Sequence, residues 1–373
     1  MKKLFLLFVA SMLAMTGAKA EEPSTLVATL NHEGKMWAYY GKSALVDAYN
    51  FAREGDVITL SAGTFTVPSN FTKNVTVRGV GMFSDIPTSN SYTALEGTPT
   101  LTIQNNDSPI AFEGLCFLST VSVSNGSAAK RITFTKVRFE GNTSSYRTSV
   151  VVNPANVYAV FNDCIIYRAL IVKGGLLQNC LVEWLRNDKG NDPLSVNNCV
   201  IYDFKKYYQL NGFYSGSYIK DANLTNTLLI GDGTLIPDWS TYNAYNCVGF
   251  STAVDNGTFF AGANESNRMV EDREHFFKES SAFTKSTDQY GDVNGYSLAW
   301  LGWYDLNANG HGLYELSDEA KKIYKGNDGT VVGLWGGAYP FNITPSNPRL
   351  TKCEIVPKVG TDGKLKVTIE VAQ

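Results

Sequence analysis

The sequence predicts an all-β fold: a parallel β-helix, with a capping helix at its N-terminal end and a small β-hairpin at its C-terminal end. Three observations carry this. A six-residue pattern recurs along the chain, an amphipathic segment precedes its first full copies, and two alternating stretches flank a Gly-rich turn near the C-terminus.

The pattern reads apolar, any, Gly/Asn/Asp, apolar, any, apolar. It occurs as Val77–Met82, Phe112–Phe117, Phe134–Phe139, Phe161–Ile166, Leu177–Val182, Val196–Ile201, Leu224–Leu229 and Ala244–Gly249. Its fourth positions are 80, 115, 137, 164, 180, 199, 227 and 247, a mean spacing of about 24 residues. The third position favours residues that tolerate a left-handed backbone, which marks a sharp bend between two short strands; Lys136 is the exception. Apolar residues at positions four and six then alternate as on a strand with one buried face. One such unit cannot bury its inner face alone, so units stack about 4.8 Å apart into a solenoid. The join from Cys164 to Cys180 is the weakest, because 16 residues is short for a full coil.

The same register places Cys164, Cys180, Cys199 and Cys247 in one inward column, with Thr227 between the last two. Their residue type suits a column of small apolar side chains. The coil spacing also admits a vertical disulfide in an oxidising compartment. No paired C-x₂-C ligands are present for zinc, so no metal is expected there. Cys116 falls at the outward fifth position.

Composition narrows the class. With 373 residues, 44% hydrophobic, 12% aromatic and 18% charged, the chain builds a sizeable core and is neither disordered nor a charged helical bundle. A formal charge of −3 and no basic stripe argue against nucleic acid as a partner. Met1-Lys2-Lys3, the apolar run Leu4–Gly17 and Ala18-Lys19-Ala20 read as a signal peptide over residues 1–20, cleaved near Ala20. The expected address is secreted, periplasmic or at the cell surface. The apolar run, about 14 residues, falls short of the about 20 a membrane span needs.

Ser43 is placed to cap a helix running to about Arg53, with Leu45, Ala48, Tyr49 and Ala52 on one face and Gly55 ending it. The segment Glu54–Phe65, followed by Lys73-Asn74-Val75-Thr76-Val77-Arg78-Gly79, resembles the opening of the right-handed parallel β-helices of the pectin-lyase-like superfamily. Asp328-Gly329-Thr330 and Gly333-Leu334-Trp335-Gly336-Gly337 resemble the closing segment of secreted β-helix proteins of gut Bacteroidetes. The resemblance implies a right-handed solenoid over residues 25–345, including its cap. Beyond it, residues 346–373 form a separate hairpin segment, with strands over Leu350–Val356 and Lys364–Val371 around Gly360-Thr361-Asp362-Gly363. Between the repeats and the hairpin, Glu271–Phe283 reads as a short helix. Tyr296–Tyr304, Leu313–Leu316 and Val331–Trp335 read as strands or irregular coil.

The superfamily resemblance implies two chemistries on acidic polysaccharides. Lyases use Arg or Lys as base with calcium held by acidic residues, and hydrolases use clustered aspartates with Gly-His-Gly. Gly310-His311-Gly312 matches the last motif in letters, but no Asn-Thr-Asp or Asp-Asp pair precedes it on the coils, so it reads as a glycine-rich turn. His32 and His275 read as isolated and exposed. No catalytic set is legible, and no cofactor is expected; calcium enters only with the lyase. Two functions stand: a non-enzymatic module binding polysaccharide along the solenoid face, or a polysaccharide lyase or glycoside hydrolase acting on an acidic glycan. For the first, the register brings Tyr167, Glu183 and Tyr202, then Arg168, Trp184 and Asp203, into adjacent outward rows, with Arg186, Lys205, Tyr207 and Tyr208 as walls. Aromatic faces stack on sugar rings and Arg grips carboxylates, so these ten residues form the expected glycan patch.

Overall fold

A computed structural model describes residues 26–83, 92–102, 110–124, 130–141, 148–202, 208–210, 213–231, 242–253, 259–260, 266–278, 283–287, 293–298, 314–344, 349–355 and 367–372. The signal-peptide segment and Gly310-His311-Gly312 lie outside them, as does the turn Gly360–Gly363.

The repeats form a parallel β-helix. On its first face Val77, Phe112, Phe134, Phe161, Leu177, Val196, Leu224 and Ala244 stand in register, each coil pairing in parallel with the next. On the second face Phe117, Phe139, Ile166, Val182, Ile201, Leu229, Gly249 and Met269 do the same. A third face joins Thr100–Thr102, Val121–Ser124, Thr148–Val152, residues 169–172, residues 184–187 and Tyr218–Ile219. Hydrogen bonds to the coils above and below satisfy the backbone, and the alternate side chains point into one continuous core.

That core is aromatic early and aliphatic late. Phe112, Phe134 and Phe161 stack at centroid distances of 5.7 and 5.1 Å, and Phe117 stacks on Phe139 at 5.5 Å. In-register coils make these near-parallel stacks unavoidable, and each contributes about 0.5–1.5 kcal/mol beyond burial. Leu115, Val137, Cys164, Cys180, Cys199, Thr227 and Cys247 form the inward fourth-position column, all fully buried. The cysteines are free thiols whose Sγ atoms donate to carbonyls, as in Cys164 to Phe134 O at 3.4 Å and Cys180 to Phe161 O at 3.3 Å. The column is therefore the packed apolar stack rather than a disulfide chain.

Every bend from Gly114 onward is left-handed. The φ values are 63° at Gly114, 54° at Lys136, 52° at Asp163, 51° at Asn179 and 52° at Asn198, Asn226 and Asn246. Lys136 thus obeys the geometry without the residue type. Val80 is a correction: it is only half-buried and stands outside the inward column. Gly79 lies pressed on the next coil, where a Cβ would come 2.4 Å from Gly114 O, and the chain then turns away as Val80 N donates to Thr93 Oγ1 at 3.0 Å. The short join from Cys164 to Cys180 is a full coil. Leu181 N reaches Cys164 O at 3.0 Å, and the tight return at Gly174-Gly175 uses φ +134° at Gly175, with no room for a Cβ against Ala159 O.

At the N-terminal end, β1 (Val27–His32) and β2 (Lys35–Tyr40) form an antiparallel hairpin, and β1 also pairs with β3 (Val57–Leu60), the first solenoid strand. Helix α1 (Ala44–Phe51) buries Ala44, Leu45, Ala48 and Tyr49 over this end, where an open core would otherwise meet water. Ser43 is its first flanking residue but makes no backbone cap; its hydroxyl reaches Asp47 Oδ2 at 3.2 Å. His32 is not isolated: its Nδ1 lies 2.7 Å from Asp56 Oδ1.

The segment after the repeats differs most from the expectation. Residues 270–278 are turns rather than a helix, and Val331–Trp335 is irregular apart from a bridge of Val331 to Lys325. Strands occur at Phe283–Thr287 and Val293–Leu298, and an unexpected helix α2 covers Asp318–Ile323, capped by Ser317 accepting from Ala320 N. The C-terminal hairpin pairs Arg349–Ile355 with Val367–Ala372.

This late segment builds a second core outside the solenoid. The outward fifth-position residues Ile165, Leu181, Val200, Leu228 and Val248 are buried against Phe276, Tyr314, Leu316, Tyr324, Leu334 and Phe341. Residues 325–344 then run back along the bend column as a strap. Gly333 N donates to Asn226 O at 2.8 Å, Asn226 Nδ2 donates to Asn327 Oδ1 at 2.9 Å, and Asn226 Oδ1 accepts the Asn327 amide at 3.1 Å. Asn179 Nδ2 donates to Leu334 O at 2.9 Å and Gly336 O at 3.0 Å. Asn342 N reaches Asp163 Oδ1 at 3.4 Å, and Lys136 Nζ reaches Thr344 O at 2.5 Å. The side chains of Lys136, Asp163, Asn179 and Asn226 therefore bond to the strap rather than to one another, while among the described residues Asn198 Nδ2 is buried without a hydrogen-bond partner.

Two outcomes follow from the strap. Asn179→Ala loses both the left-handed preference and two buried hydrogen bonds, and is expected to destabilise by about 2–4 kcal/mol in urea unfolding. Asn179→Gly keeps the bend but also loses the strap bonds, and is expected to lose about half as much; equal losses would mean the left-handed preference contributes nothing, and an unchanged Asn179→Gly would mean the strap bonds contribute nothing.

Burial raises the Asp163 carboxyl to about 7, with Cys180 adding to the rise and the Asn342 amide and Lys136 opposing it. The folded state therefore holds a proton that the unfolded state has released. This contribution is complete below about pH 4 and is lost as pH rises through about 7. Asp163→Asn is expected to leave stability at pH 4 nearly unchanged. At pH 8 it should gain on the order of 1 kcal/mol, discounted for partial solvent screening. Melting curves of both proteins from pH 4 to 8 check the sign.

Candidate functional site

The expected patch on the solenoid face is largely buried. Tyr167 and Trp184 are each 2% exposed, Glu183 6% and Arg186 3%. A bulge also shifts the rows: Arg168 takes φ 65°, and Ala169 rather than Arg168 pairs with Trp184. Glu183 fastens that bulge. Its Oε2 accepts the Arg168 amide at 2.6 Å, and its Oε1 lies 3.5 Å from the Arg168 guanidinium. Arg186 lies over Trp184 with its guanidinium carbon 5.5 Å from the ring centroid, and donates to Gly216 O at 3.2 Å. Tyr202 is half-buried beneath Tyr314, ring to ring at 5.8 Å. Burial pushes the Tyr314 phenol well up. Asp203, Lys205 and Tyr207 lie outside the described residues, and of Tyr208 only the strand Tyr208–Leu210 is described. Arg168, at 27% side-chain exposure, and Tyr202 are thus what the described part of the patch offers to solvent.

The physical reason is the second core. Fifth-position residues that are apolar require a cover, and the segment that covers them also roofs the rows beside them. Glu183→Ala strands the Arg168 amide and guanidinium, and is expected to cost on the order of 2–4 kcal/mol by denaturant unfolding. Glu183→Gln, which keeps the acceptor, should lose less.

A cleft opens instead at the C-terminal end of the solenoid. It has a volume of about 780 Å³ and lies between the last coil strand, Arg268–Met269, the turns at 271–276 and helix α2. Glu271, Asp272, Glu319, Arg268 and His275 supply its polar groups, and Met269, Phe276, Ile323 and Tyr324 its apolar ones. His275 Nδ1 is 2.9 Å from Asp272 Oδ2, and that bond holds the Asp272 carboxyl below its usual range. Arg268 is oriented by donating to Ile323 O at 3.2 Å, and Glu271 N reaches the Tyr324 hydroxyl at 3.3 Å. Ser317 holds the walls together, donating to His275 O at 2.5 Å while capping α2.

The floor is rigid because Phe276 packs edge-on against Tyr324 at 5.2 Å and Phe277 at 4.8 Å. Ile323 is 55% exposed at the rim. Among the described residues no three His, Cys, Asp or Glu side chains cluster to hold a metal ion. Also among the described residues, no helix is long and apolar enough to cross a membrane. Of the cleft residues, sequence reasoning singled out only His275, as an isolated side chain. The signal for α2 was present in Ser317-Asp318-Glu319 followed by Lys321-Lys322, an N-cap with acidic first and basic last turns.

Comparison with protein-family models, curated proteins and solved structures gave no match.

Proposed function

We propose that the chain is a secreted β-helix module that binds a polysaccharide, and that the ligand enters the cleft at the C-terminal end of the solenoid rather than lying along its face. The observation that carries this reading is the cleft itself. A volume of about 780 Å³ has room for a short oligosaccharide, and both apolar and polar side chains line it, as ring faces and hydroxyls require. Three carboxylates against Arg268 and His275 make a polyuronate an unfavourable guest, so the glycan class is neutral or amino sugars.

A glycan array spanning neutral, amino and acidic sugars, followed by calorimetry on Asp272→Ala and Glu319→Ala, tests this. Both side chains are exposed, so the variants should melt like wild type. Each is expected to weaken binding about tenfold, the loss of one charge-assisted hydrogen bond. Binding left unchanged in both variants, or confined to polyuronates, sinks the assignment. New reducing ends or unsaturated uronates in the same incubations would replace it with the glycosidase or lyase.

A further inference from the structure

The N-terminal hairpin leaves an edge that a solitary chain has reason to hide. The turn Glu33-Gly34 takes φ 50° and 74°, the two-residue type that makes His32 and Lys35 a hydrogen-bonded pair. Pairing then alternates, so Lys35, Trp37 and Tyr39 bond inward to β1, and Gly41 N continues the series to Leu26 O at 2.9 Å. The N–H and C=O groups of Met36, Ala38 and Tyr40 point the other way. Among the described residues β2 pairs with β1 alone.

Most edge strands carry several charges, a proline or a bulge. This one has the sequence Lys-Met-Trp-Ala-Tyr-Tyr, a single charge, and an unbroken register. Its side chains stand in water: Met36 is 70% exposed, Tyr40 64% and Trp37 42%. Phe51 of α1, 72% exposed, lies 5.9 Å from Tyr39 on the Trp37 face.

We propose that the partner of this edge is β2 of a second copy of the chain, joined antiparallel about a two-fold axis at Ala38. The outward hydrogen-bonding residues fix the register. Met36 must face Tyr40 of the other copy, and Ala38 must face Ala38. That register is self-complementary on both faces. On one, two Met–Tyr pairs flank the small Ala38 pair at the axis. On the other, Trp37 meets Tyr39 twice, with Phe51 beside each pair. The one charged residue of the strand, Lys35, falls opposite Gly41 rather than opposite its own copy. Glu33 of each turn comes alongside Lys42 of the other chain. Because β1 also pairs with β3, the dimer joins two solenoids end to end through one continuous sheet.

The test is sedimentation velocity of the purified protein over a wide concentration series, beside Ala38→Pro and Ala38→Cys. Proline is tolerated where the N–H faces outward, so Ala38→Pro should keep the wild-type circular dichroism while removing the central inter-chain bonds. The expected result is twice the monomer mass for wild type at high concentration and monomer for Ala38→Pro throughout. Ala38→Cys should give a disulfide-linked dimer on mild oxidation, a readout that survives even if the proline variant misfolds. Wild type that stays monomeric at every concentration overturns the proposal, its edge then serving another chain. So does a wild-type dimer that Ala38→Cys fails to lock.

Discussion

The left-handed bend at the third position of each repeat is the constraint on which the structure rests. Seven consecutive bends, from Gly114 to Asn246, hold φ between 51° and 63°. Such a backbone costs a residue with a Cβ roughly 1 kcal/mol or more. Asn and Asp lower that cost through local hydrogen bonding, and stacking in register spreads the same geometry along the axis. From Asp163 to Asn226 each bend N–H joins the next coil, as in Asn179 to Asn197 O at 3.1 Å and Asn198 to Thr225 O at 3.1 Å. The first and second faces therefore stay aligned, and the inward column of Leu115, Val137 and the cysteines is fully buried.

Because the bend side chains project outward, they offer an uncovered row of amides. The strap at residues 325–344 bonds to that row at Asp163, Asn179 and Asn226, and packs against Asn198. Gly336 and Gly337 lie against Asn198, where a Cβ at Gly336 would come 2.7 Å from the amide nitrogen. Binding the strap brings Leu334 and Phe341 onto the fifth-position residues and completes the outer core. Among the described residues, the fifth-position row that an isolated solenoid would expose is in this way covered by the strap and its neighbours.

The ends differ in kind. The N-terminal end is an aromatic strand edge with open backbone groups, suited to another strand. The C-terminal end is a charged cleft with a packed aromatic floor, suited to a small polar guest. The two proposed roles, pairing with a second copy and binding a glycan, thus fall on different ends of the stack.

Local periodicity made the solenoid legible. The hexads specified the bends, the inward column and the parallel register, since each depends on residues within one coil or on the same position in the next. Even the 16-residue coil followed, once Gly174-Gly175 supplied the return. The fifth positions carried a further signal: Cys116 and Arg138 early, then Ile165, Leu181, Val200, Leu228 and Val248, an apolar outward row that demands a cover. What covers it was not legible, because Asn179 and Leu334 meet across 155 residues and no local pattern encodes that encounter. The burial of Trp184 and Glu183, the bulge at Arg168 and the cleft beside α2 all follow from that one long-range docking. The sequence by itself determined the coil, its bends and its register, which are repeated short-range choices. The tertiary structure alone decided which face stayed open, since that depends on where the chain returns after the repeat ends.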